Sequence, residues 1–449
     1  MNPFKRYDIR GRLGIDLDEA VACRIARAFA RVTGAGAVVL ARDPRESSPA
    51  LAGAVAAGLV AQGVRVLDIG MAGTEEMYFA TAHLRAGGGI MVTASHNPRD
   101  YNGMKLVGAG AVPLTDAGFA RLQALSAEEP DRLPGGGVED AGAVRADYVA
   151  HVARLVGPVG PLRVLVNAGN GAAGPTLDAL AEGLRARGAR LDLVRMHHEP
   201  DGAFPNGVPN PLLPENRPVT EAAVRAAGAD MGVAFDGDFD RCFLFDGAGR
   251  FVDGEHVVAL LARAELARHP GAAIVHDPRV LWAVQDTVAR AGGRSVLAPT
   301  GHVFLKEAMR REGAVYGGEM SAHHYFRDFM ACDSGMIPWL LVAGLVSQGE
   351  ALDEMVGALR REHPSSGEVN FTVTDREAMM GRVHAALGPL ARGEDRTDGL
   401  SLDFGDWRLN LRASNTEPLL RLNVEARGDR GLVAEGVERV RQVIGTGEA

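Results

Sequence analysis

A pattern of strand, polar turn, helix, glycine and second strand occurs three times in this chain of 449 residues. The turns are Asp43-Pro44-Arg45, Asn167-Ala168-Gly169 and Asp277-Pro278-Arg279, and their separation is the length of a domain rather than of a solenoid repeat. Parallel strands joined by helices give this pattern. The chain is therefore predicted to contain three related α/β domains in tandem, with mixed, mostly parallel sheets.

The last part of the chain follows a different pattern. After His363-Pro364-Ser365-Ser366-Gly367, short apolar runs alternate with turn residues, and Gly405-Asp406 between two of them is typical of a hairpin. This predicts a smaller C-terminal α+β domain with an antiparallel sheet. The stretch from Glu129 to Arg145, rich in proline, glycine and charge, is expected to be a surface loop. The predicted domains are residues 1–150, 151–249, 250–366 and 367–449.

Composition narrows the class of partner. The formal net charge is −9 and there is no run of basic residues, which argues against a nucleic-acid or membrane-surface partner. Three widely spaced cysteines without a Cys-x-x-Cys pair indicate free thiols in a reducing compartment. The chain starts without an apolar signal segment, and no apolar run approaches the roughly 18 residues of a membrane helix. We expect a cytoplasmic protein that binds a small molecule, as a monomer or weak dimer.

The segment Thr93-Ala94-Ser95-His96-Asn97-Pro98 follows a glycine-rich apolar run, so it is predicted to be a loop at the carboxyl end of a buried strand. Loops in that position carry chemistry in α/β folds. A hydrolase pair is excluded, because consecutive side chains are expected to diverge and no Gly-x-Ser-x-Gly elbow surrounds the serine. Ser95 is instead a candidate carrier of a transferred group. As an alternative, Asn97-Pro98 only makes a turn and Ser95 caps a following helix.

Lysine is rare in this chain, and this draws attention to one residue. The lysines are Lys5, Lys105 and Lys306, while nearly every other cation is arginine. Lys105 lies just after the Ser95 loop. A lysine retained there is expected to supply a compact ammonium or a transferable proton, which a guanidinium does not supply.

Three carboxylates, Asp236, Asp238 and Asp240, stand at alternate positions after an apolar strand. Alternate residues of an extended segment point the same way, so their oxygens can converge on Mg²⁺. An EF-hand is excluded, because Arg241 and Gly247 occupy the positions that need glycine and glutamate. Two alternatives remain at this point. One is a haloacid-type phosphatase with Asp236 as nucleophile and Asp238 as acid/base, and the other is a solvated acidic turn.

Two further loops offer binding groups. The segment from Gly317 to His324 follows a predicted strand, Ala314 to Tyr316, and supplies a carboxylate, a hydroxyl and imidazoles that suit sugar hydroxyls. The segment Arg412-Ala413-Ser414-Asn415-Thr416-Glu417-Pro418, with Arg421 behind it, concentrates the donors of a phosphate cradle. A capped turn between strands is the alternative for the second segment.

Taken together and in this order, the four loops resemble the α-D-phosphohexomutases, and specifically their phosphomannomutase/phosphoglucomutase branch. The resemblance spans the whole chain. It implies three α/β domains and a smaller C-terminal domain around a central cleft. It also implies an isomerase that interconverts 1-phospho and 6-phospho hexoses, mannose and/or glucose. The implied route uses an enzyme phosphoserine and a hexose 1,6-bisphosphate, which is both intermediate and activator.

The resemblance also implies roles for single residues. Ser95 is the phosphoserine, Lys105 and His302 are general acid/base groups, and Arg241 acts near the reacting phosphate. Mg²⁺ is implied as cofactor, held by Asp236, Asp238, Asp240 and the phosphoryl oxygen on Ser95. The residues implied to bind substrate are Tyr7, Arg10, Arg279, Glu319, Ser321, His323, Arg412, Ser414, Asn415, Thr416 and Arg421.

One residue departs from the family's pattern. Pro299 stands where many relatives carry a basic residue, which gives Arg279 or Lys306 more weight as phosphate contacts. Besides the phosphatase, a non-catalytic sugar-phosphate sensor of the same fold is a rival interpretation. Such a sensor would not need Ser95, Lys105 and the aspartate triad together.

Overall fold

The computed structural model describes residues 3–5, 8–157, 159–414 and 419–445. The chain divides into two compact units. The first comprises Met1–Phe251 and His323–Gly349, and the second comprises Val252–Ala322 and Glu350–Ala449. No helix within the described ranges combines the length and the apolar character that a membrane crossing requires. The three cysteines are free thiols, as predicted.

The first unit starts with helices packed on a sheet. Its elements are β1 (Ile9–Arg12), α1 (Glu19–Thr33), β2 (Ala37–Arg42), α2 (Ser48–Val60), β3 (Arg65–Met71), α3 (Thr74–His83), β4 (Gly88–Val92), β5 (Tyr101–Gly108), α4 (Asp116–Leu125), β6 (Gly137–Asp140) and α5 (Val144–Val156). The strand order is β1-β5-β4-β2-β3-β6. β2 is parallel to β3 and β4, whereas β5 and β1 add antiparallel strands at one edge.

Local sequence explains why these elements start and stop where they do. Asp18 caps α1 by accepting a hydrogen bond from the backbone N–H of Val21 at 2.7 Å, and Gly34 ends the helix with a positive φ of 62°. β4 is buried along its whole length, because the sheet is covered on both faces. The apolar strand β4 therefore delivers the Ser95 loop from the middle of a buried sheet.

The prediction of a surface loop from Glu129 to Arg145 is wrong in part. Residues Gly137–Asp140 form β6, which pairs with β3 in parallel at the sheet edge, and α5 begins at Val144. β6 has four residues, of which three are exposed. A strand so short and so polar shows no hydrophobic alternation, so the sequence gives no signal for it.

A second sheet follows in the first unit. Its elements are β7 (Leu162–Asn167), α6 (Ala173–Ala186), β8 (Leu191–Met196), α7 (Pro218–Ala227), β9 (Met231–Phe235) and β10 (Cys242–Asp246). The order is β10-β9-β7-β8, with β7 parallel to β8 and β9. β9 and β10 are antiparallel, so the segment that joins them is the loop carrying the three aspartates.

The second unit begins with another parallel arrangement. Its elements are α8 (Gly254–Arg268), β11 (Ala273–His276), α9 (Trp282–Arg290), β12 (Arg294–Leu297), α10 (His302–Glu312) and β13 (Tyr316–Gly318). β11 is parallel to β12 and to β13. The predicted strand from Ala314 to Tyr316 is displaced, because the two glycines taken as loop belong to β13. The chain then returns to the first unit with β14 (His324–Phe326), β15 (Cys332–Asp333) and α11 (Met336–Val346).

The remaining elements build an antiparallel sheet. They are α12 (Leu352–Glu362), β16 (Ser365–Thr372), α13 (Arg376–Leu387), β17 (Gly393–Asp395), β18 (Leu400–Asp403), β19 (Trp407–Ala413), β20 (Leu419–Ala426) and α14 (Arg430–Gly445). The order is β16-β20-β19-β18-β17, and the paired strands are antiparallel. The hairpin predicted at Gly405-Asp406 is confirmed, with Gly405 at a φ of 98°. The alternating inward residues of these strands and one face of α14 form a common apolar core.

Candidate active site

The Ser95 loop packs directly against the aspartate loop within the first unit. Ser95 is buried, and its hydroxyl donates a hydrogen bond to Oδ2 of Asp236 at 2.6 Å. Gly237 makes this approach possible, because a Cβ added there would lie 2.5 Å from the carbonyl oxygen of Ser95. The chain continues from this loop into β5, so Ser95 caps no helix and that alternative is wrong.

The side chains of Ser95 and His96 do not diverge, contrary to the prediction. Ser95 has a φ of 50°, in the left-handed region, and this brings its Oγ to 3.1 Å from Nδ1 of His96. Arg241 donates an N–H to the same Nδ1. Burial, and then the charge of Arg241, hold the pKa of His96 well below its usual value, so the imidazole is neutral. Sequence reasoning missed His96 because it assumed ordinary backbone geometry at the serine.

Arg45 holds the Ser95 loop from behind. Its guanidinium is 2% exposed and donates to four main-chain carbonyl oxygens of the loop. They belong to Ser95, Asn97, Pro98 and Tyr101, at 2.6 to 3.1 Å. Asp43 lies 3.3 Å away as its ion-pair partner. Arg45 was also missed, since the sequence marked the Asp43-Pro44-Arg45 turn only as part of a repeat.

Arg10 contacts the same loop from β1. It donates to the carbonyl oxygen of Ala94 at 2.6 Å and to Oδ1 of Asn97 at 2.5 Å. Its other terminal nitrogen pairs with Asp8 at 2.7 Å. Arg10 therefore lies beside the Ser95 loop. Tyr7, predicted beside it, lies outside the described residues.

The three aspartates converge in a buried cluster with ligand oxygens within 4.8 Å of one another. Lys105 donates to Oδ2 of Asp238 at 2.7 Å and to Oδ2 of Asp240. The second oxygen of each of these carboxylates is buried and has no hydrogen-bond partner among the described residues. Hard oxygen donors with uncompensated lone pairs fit Mg²⁺. A solvated acidic turn is excluded, because the three aspartate residues are at most 2% exposed.

The protonation states follow from these contacts. Burial favours the neutral form of Lys105, but Asp238 and Asp240 outweigh it and raise the pKa of the lysine. Burial likewise opposes ionisation of Asp238, yet Lys105 holds the pKa of this carboxyl below its usual value. Burial and the neighbouring charge of Asp238 raise the pKa of Asp240 well above its usual value. Lys105 is therefore an ammonium here, and it can release a proton more readily once another cation compensates the aspartates.

Arg241 ties the cluster to the serine. Its Nε and Nη2 donate to Oδ2 of Asp236 at 2.9 and 2.7 Å, and Nη2 lies 3.4 Å from Oγ of Ser95. Oδ1 of Asp236 accepts the backbone N–H of Arg241 at 3.3 Å. Both oxygens of Asp236 are thus held in hydrogen bonds. This arrangement disfavours the haloacid-type alternative, which needs Asp236 as a free nucleophile.

His323 lies with the aspartates in the first unit. Ligand atoms of His323, Asp240 and Asp333 are within 4.8 Å of one another, and His323 forms a β-bridge with Arg241. Glu319 and Ser321, predicted with it as substrate contacts, belong to the second unit. Asp333 was missed, because nothing in the sequence around β15 distinguishes it from other acidic residues.

The second unit brings Glu319 together with two other predicted groups. Oε1 of Glu319 accepts the backbone N–H of Gly301 at 2.8 Å, next to His302 at the start of α10. Nη2 of Arg279 lies 3.6 Å from the same oxygen and 2.5 Å from Asp277. Ser321 is half-buried at the end of this loop, and Lys306 is buried within α10.

Arg412 and Arg421, on paired strands β19 and β20, face one carboxylate. Oε2 of Glu368 accepts from Arg412 at 2.9 Å, and Oε1 lies 3.5 Å from Nη1 of Arg421. Arg421 also lies 3.4 Å from Oγ of Ser414. Burial, and then the positive charge of Arg279, lower the pKa of Arg412. Asn415 and Thr416 lie outside the described residues, and Glu368 was not foreseen.

Comparison with known proteins gives matches to four family descriptions. These are phosphoglucomutase/phosphomannomutase alpha/beta/alpha domain I at residues 1–132, domain II at 146–249, domain III at 253–362 and the C-terminal domain at 368–443. The predicted fold class of three α/β domains and a smaller C-terminal domain is confirmed by these matches.

Curated relatives and solved structures agree. A phosphomannomutase of Salmonella montevideo is 53% identical, and a protein named phosphohexose mutases from Xanthomonas campestris is also 53% identical, each over 98% of both chains. The crystal structure of a phosphoglucomutase/phosphomannomutase family protein from Burkholderia thailandensis is 32% identical with a TM-score of 0.88, over 99% of this chain and 97% of that one. The chain belongs to the phosphoglucomutase/phosphomannomutase family of phosphohexomutases, which are isomerases.

Proposed function

We propose that this enzyme interconverts the 1-phosphates and 6-phosphates of mannose and/or glucose through a phosphoserine at Ser95 and a 1,6-bisphosphosugar intermediate. The observation that carries the proposal is the 2.6 Å contact between Oγ of Ser95 and Asp236 inside a buried aspartate cluster, with Arg241 alongside. A phosphoryl group on this serine, with about two negative charges, needs that cationic side chain and a divalent ion. Asp236, Asp238 and Asp240 would hold Mg²⁺, and the bound ion would supply positive charge beside the serine oxygen.

The transfer step is an in-line displacement at phosphorus. A hydroxyl of the sugar attacks, the bond between phosphorus and the serine oxygen breaks, and a new bond to the sugar oxygen forms. The hydroxyl proton passes to a base, for which the proposed groups are His302 and Lys105, the lysine in the neutral form that it can reach when a cation compensates the aspartates. Arg241 balances the charge on the phosphoryl oxygens, and Arg45 and Arg10 keep the serine loop in position. The reverse step returns a phosphoryl group to Ser95 from the other end of the intermediate.

The second unit would bind the sugar and the phosphate group of the substrate that does not react. Glu319 and Ser321 are proposed to bind sugar hydroxyls, and Arg412, Ser414 and Arg421 to bind the non-reacting phosphate. One cradle then serves both orientations of the intermediate. A non-catalytic sensor needs only such binding groups, whereas the buried serine, lysine and aspartate cluster is machinery for transfer. We keep the prediction that the enzyme acts in the cytoplasm as a monomer or weak dimer.

The orientations also bear on which sugars are accepted. A half-turn that exchanges the C1 and C6 phosphates roughly exchanges the C3 and C4 hydroxyls, so Glu319 finds equivalent partners each time. The C2 hydroxyl lies on a different side of the binding site in each orientation, so the enzyme is expected to have no dedicated contact with it. Glucose and mannose 1-phosphates, which differ at C2, should therefore have kcat/KM values within about one to two orders of magnitude. Galactose 1-phosphate, inverted at C4, should be slower by roughly 10³ because a buried carboxylate loses its partner.

The test begins with purified protein. Intact mass and fragment mapping should locate a phosphoryl group on Ser95. A coupled assay should show turnover of glucose 1-phosphate and mannose 1-phosphate that increases with a trace of hexose 1,6-bisphosphate. Phosphate on another residue together with full activity of Ser95→Ala would refute the scheme, and efficient turnover of galactose 1-phosphate would refute the role of Glu319.

A further inference from the structure

Glu368 bridges the two arginines of the proposed phosphate cradle. One of its oxygens lies 2.9 Å from Arg412 and the other 3.5 Å from Arg421, so each guanidinium faces its own oxygen. Its position follows from the sheet. β20 lies between β16 and β19, and Arg421 is directly opposite Arg412 in the register. A carboxylate that spans two guanidinium groups uses the donors that a phosphate would use.

We propose that Glu368 is an internal anion that competes with the substrate phosphate for Arg412 and Arg421 and so limits how tightly the cradle holds it. This rests on the proposed function of the cradle. A dianionic phosphate and a carboxylate cannot both take the same N–H donors, and their like charges repel at close range. A phosphate that enters must therefore displace the carboxylate from these donors.

A mutase has a use for such a competitor. The bisphosphate has to leave the cradle with one end and return with the other in every turnover. Very tight binding of the non-reacting phosphate would slow this exchange. A carboxylate that replaces the departing phosphate keeps both guanidinium groups paired in the interval, so no buried charge is left without a partner.

A second arginine–glutamate pair in the same sheet shows what a purely structural pair looks like. Arg408 and Glu425 are 2.6 Å apart, and their side chains are 2% and 1% exposed. The side chains of Glu368 and Arg421 are each 26% exposed. Glu368 is accessible enough to exchange with a ligand, whereas Glu425 is sealed in.

The test uses inorganic phosphate as the probe, with affinity measured by calorimetry. Glu368→Gln keeps the shape and removes the charge, so phosphate should bind about threefold to tenfold more tightly. The control is Glu394→Gln. Glu394 lies on β17 at the opposite edge of the same sheet, paired with Arg396 at 2.5 Å and His384 at 2.8 Å. The Glu394→Gln substitution removes one negative charge from the same domain and should leave phosphate affinity unchanged.

Double variants and kinetics separate competition from a structural role. The gain from Glu368→Gln should disappear in an Arg421→Gln background, as expected for groups that share one ligand. In the active enzyme, Glu368→Gln should lower both KM and kcat, whereas a structural defect would raise KM. The side chain of Glu368→Asp is too short to span both arginines, so the phosphate affinity of this variant should lie between those of the wild type and Glu368→Gln.

Two outcomes would overturn the inference. One is unchanged or weaker phosphate binding by Glu368→Gln, with its folding checked by circular dichroism. The other is a gain in phosphate affinity from Glu368→Gln that persists in the Arg421→Gln background. Failure of the wild-type enzyme to turn over either mannose 1-phosphate or glucose 1-phosphate would count against the proposed function alone, because the phosphate titration needs no turnover.

Discussion

The turns Asp43-Pro44-Arg45 and Asp277-Pro278-Arg279 have the same sequence and the same local hydrogen bond. The backbone N–H of the arginine donates to Oδ1 of the aspartate at 3.0 Å in the first turn and at 2.8 Å in the second. The guanidinium groups then differ. Arg45 gives its N–H groups to four carbonyl oxygens of the Ser95 loop, whereas Arg279 gives two to Asp277 and lies 3.6 Å from Glu319.

Electrostatics follow this difference. Burial lowers the pKa of Arg45, and Asp43 offsets only part of the effect. Burial acts in the same direction on Arg279, but the close pair with Asp277 outweighs it and raises the pKa of the guanidinium. Arg45 acts as a clamp, because its N–H groups donate to main-chain carbonyl oxygens of the Ser95 loop. The guanidinium of Arg279 instead faces the carboxylates of Asp277 and Glu319, and Glu319 is a proposed sugar contact. Repetition of a turn in sequence thus preserves its backbone but not its use.

The largest expected effect tests whether chemistry lies at the loop that Arg45 clamps. Asp238→Asn removes a ligand charge from the aspartate cluster and should lower kcat by about three orders of magnitude or more, with the fold intact. Steady-state kinetics and circular dichroism measure the two quantities. EDTA treatment should inactivate the wild type and be reversed by Mg²⁺. Full activity of the metal-free protein would show that the aspartate cluster beside the Ser95 loop is not a required metal site.

Lys105→Arg should come next, with a loss of about 10²-fold or more in kcat. The charge is retained, but a guanidinium does not release a proton at neutral pH, and its planar fork does not match the point contacts with Asp238 and Asp240. Single-turnover transfer from phosphorylated enzyme gives the chemical step directly. A variant within about twofold of the wild type would show that Lys105 contributes charge only.

Arg45→Lys tests the clamp itself. An ammonium cannot reach four carbonyl oxygens, so we expect a loss of about 3 kcal/mol in unfolding free energy and about tenfold to 100-fold in kcat. KM should change little, because Arg45 is not proposed to contact substrate. Denaturant unfolding and kinetics on the same preparation provide both values. A stable variant with impaired KM would mean that Arg45 acts as Arg279 does, and the two turns would no longer differ.

Much of this site could be predicted from residue types and spacing. Ser95 after the apolar strand β4 and the three aspartates after β9 were identified because strand ends and alternate positions are visible in sequence. Contacts that depend on three-dimensional register were not. Glu368 can reach Arg412 because the strand order β16-β20-β19 separates their strands by only one other strand. The side chain of His96 lies close to that of Ser95 because the serine adopts a left-handed φ.

The smallest expected effect is that of Arg279→Lys, which tests the other turn. Lysine keeps the charge beside Asp277 and Glu319 but loses the paired N–H groups. We expect KM for glucose 1-phosphate to rise about tenfold or less, with kcat within a few-fold and a loss of thermal stability smaller than that of Arg45→Lys, because lysine keeps a charge paired with the buried Asp277. Matched melting curves of Arg45→Lys and Arg279→Lys make the comparison quantitative, because only the first should lose several degrees. If both variants lose the same stability and neither changes KM, the two arginines are structural clamps of one kind, and the charge of Arg279 has no part in binding the substrate.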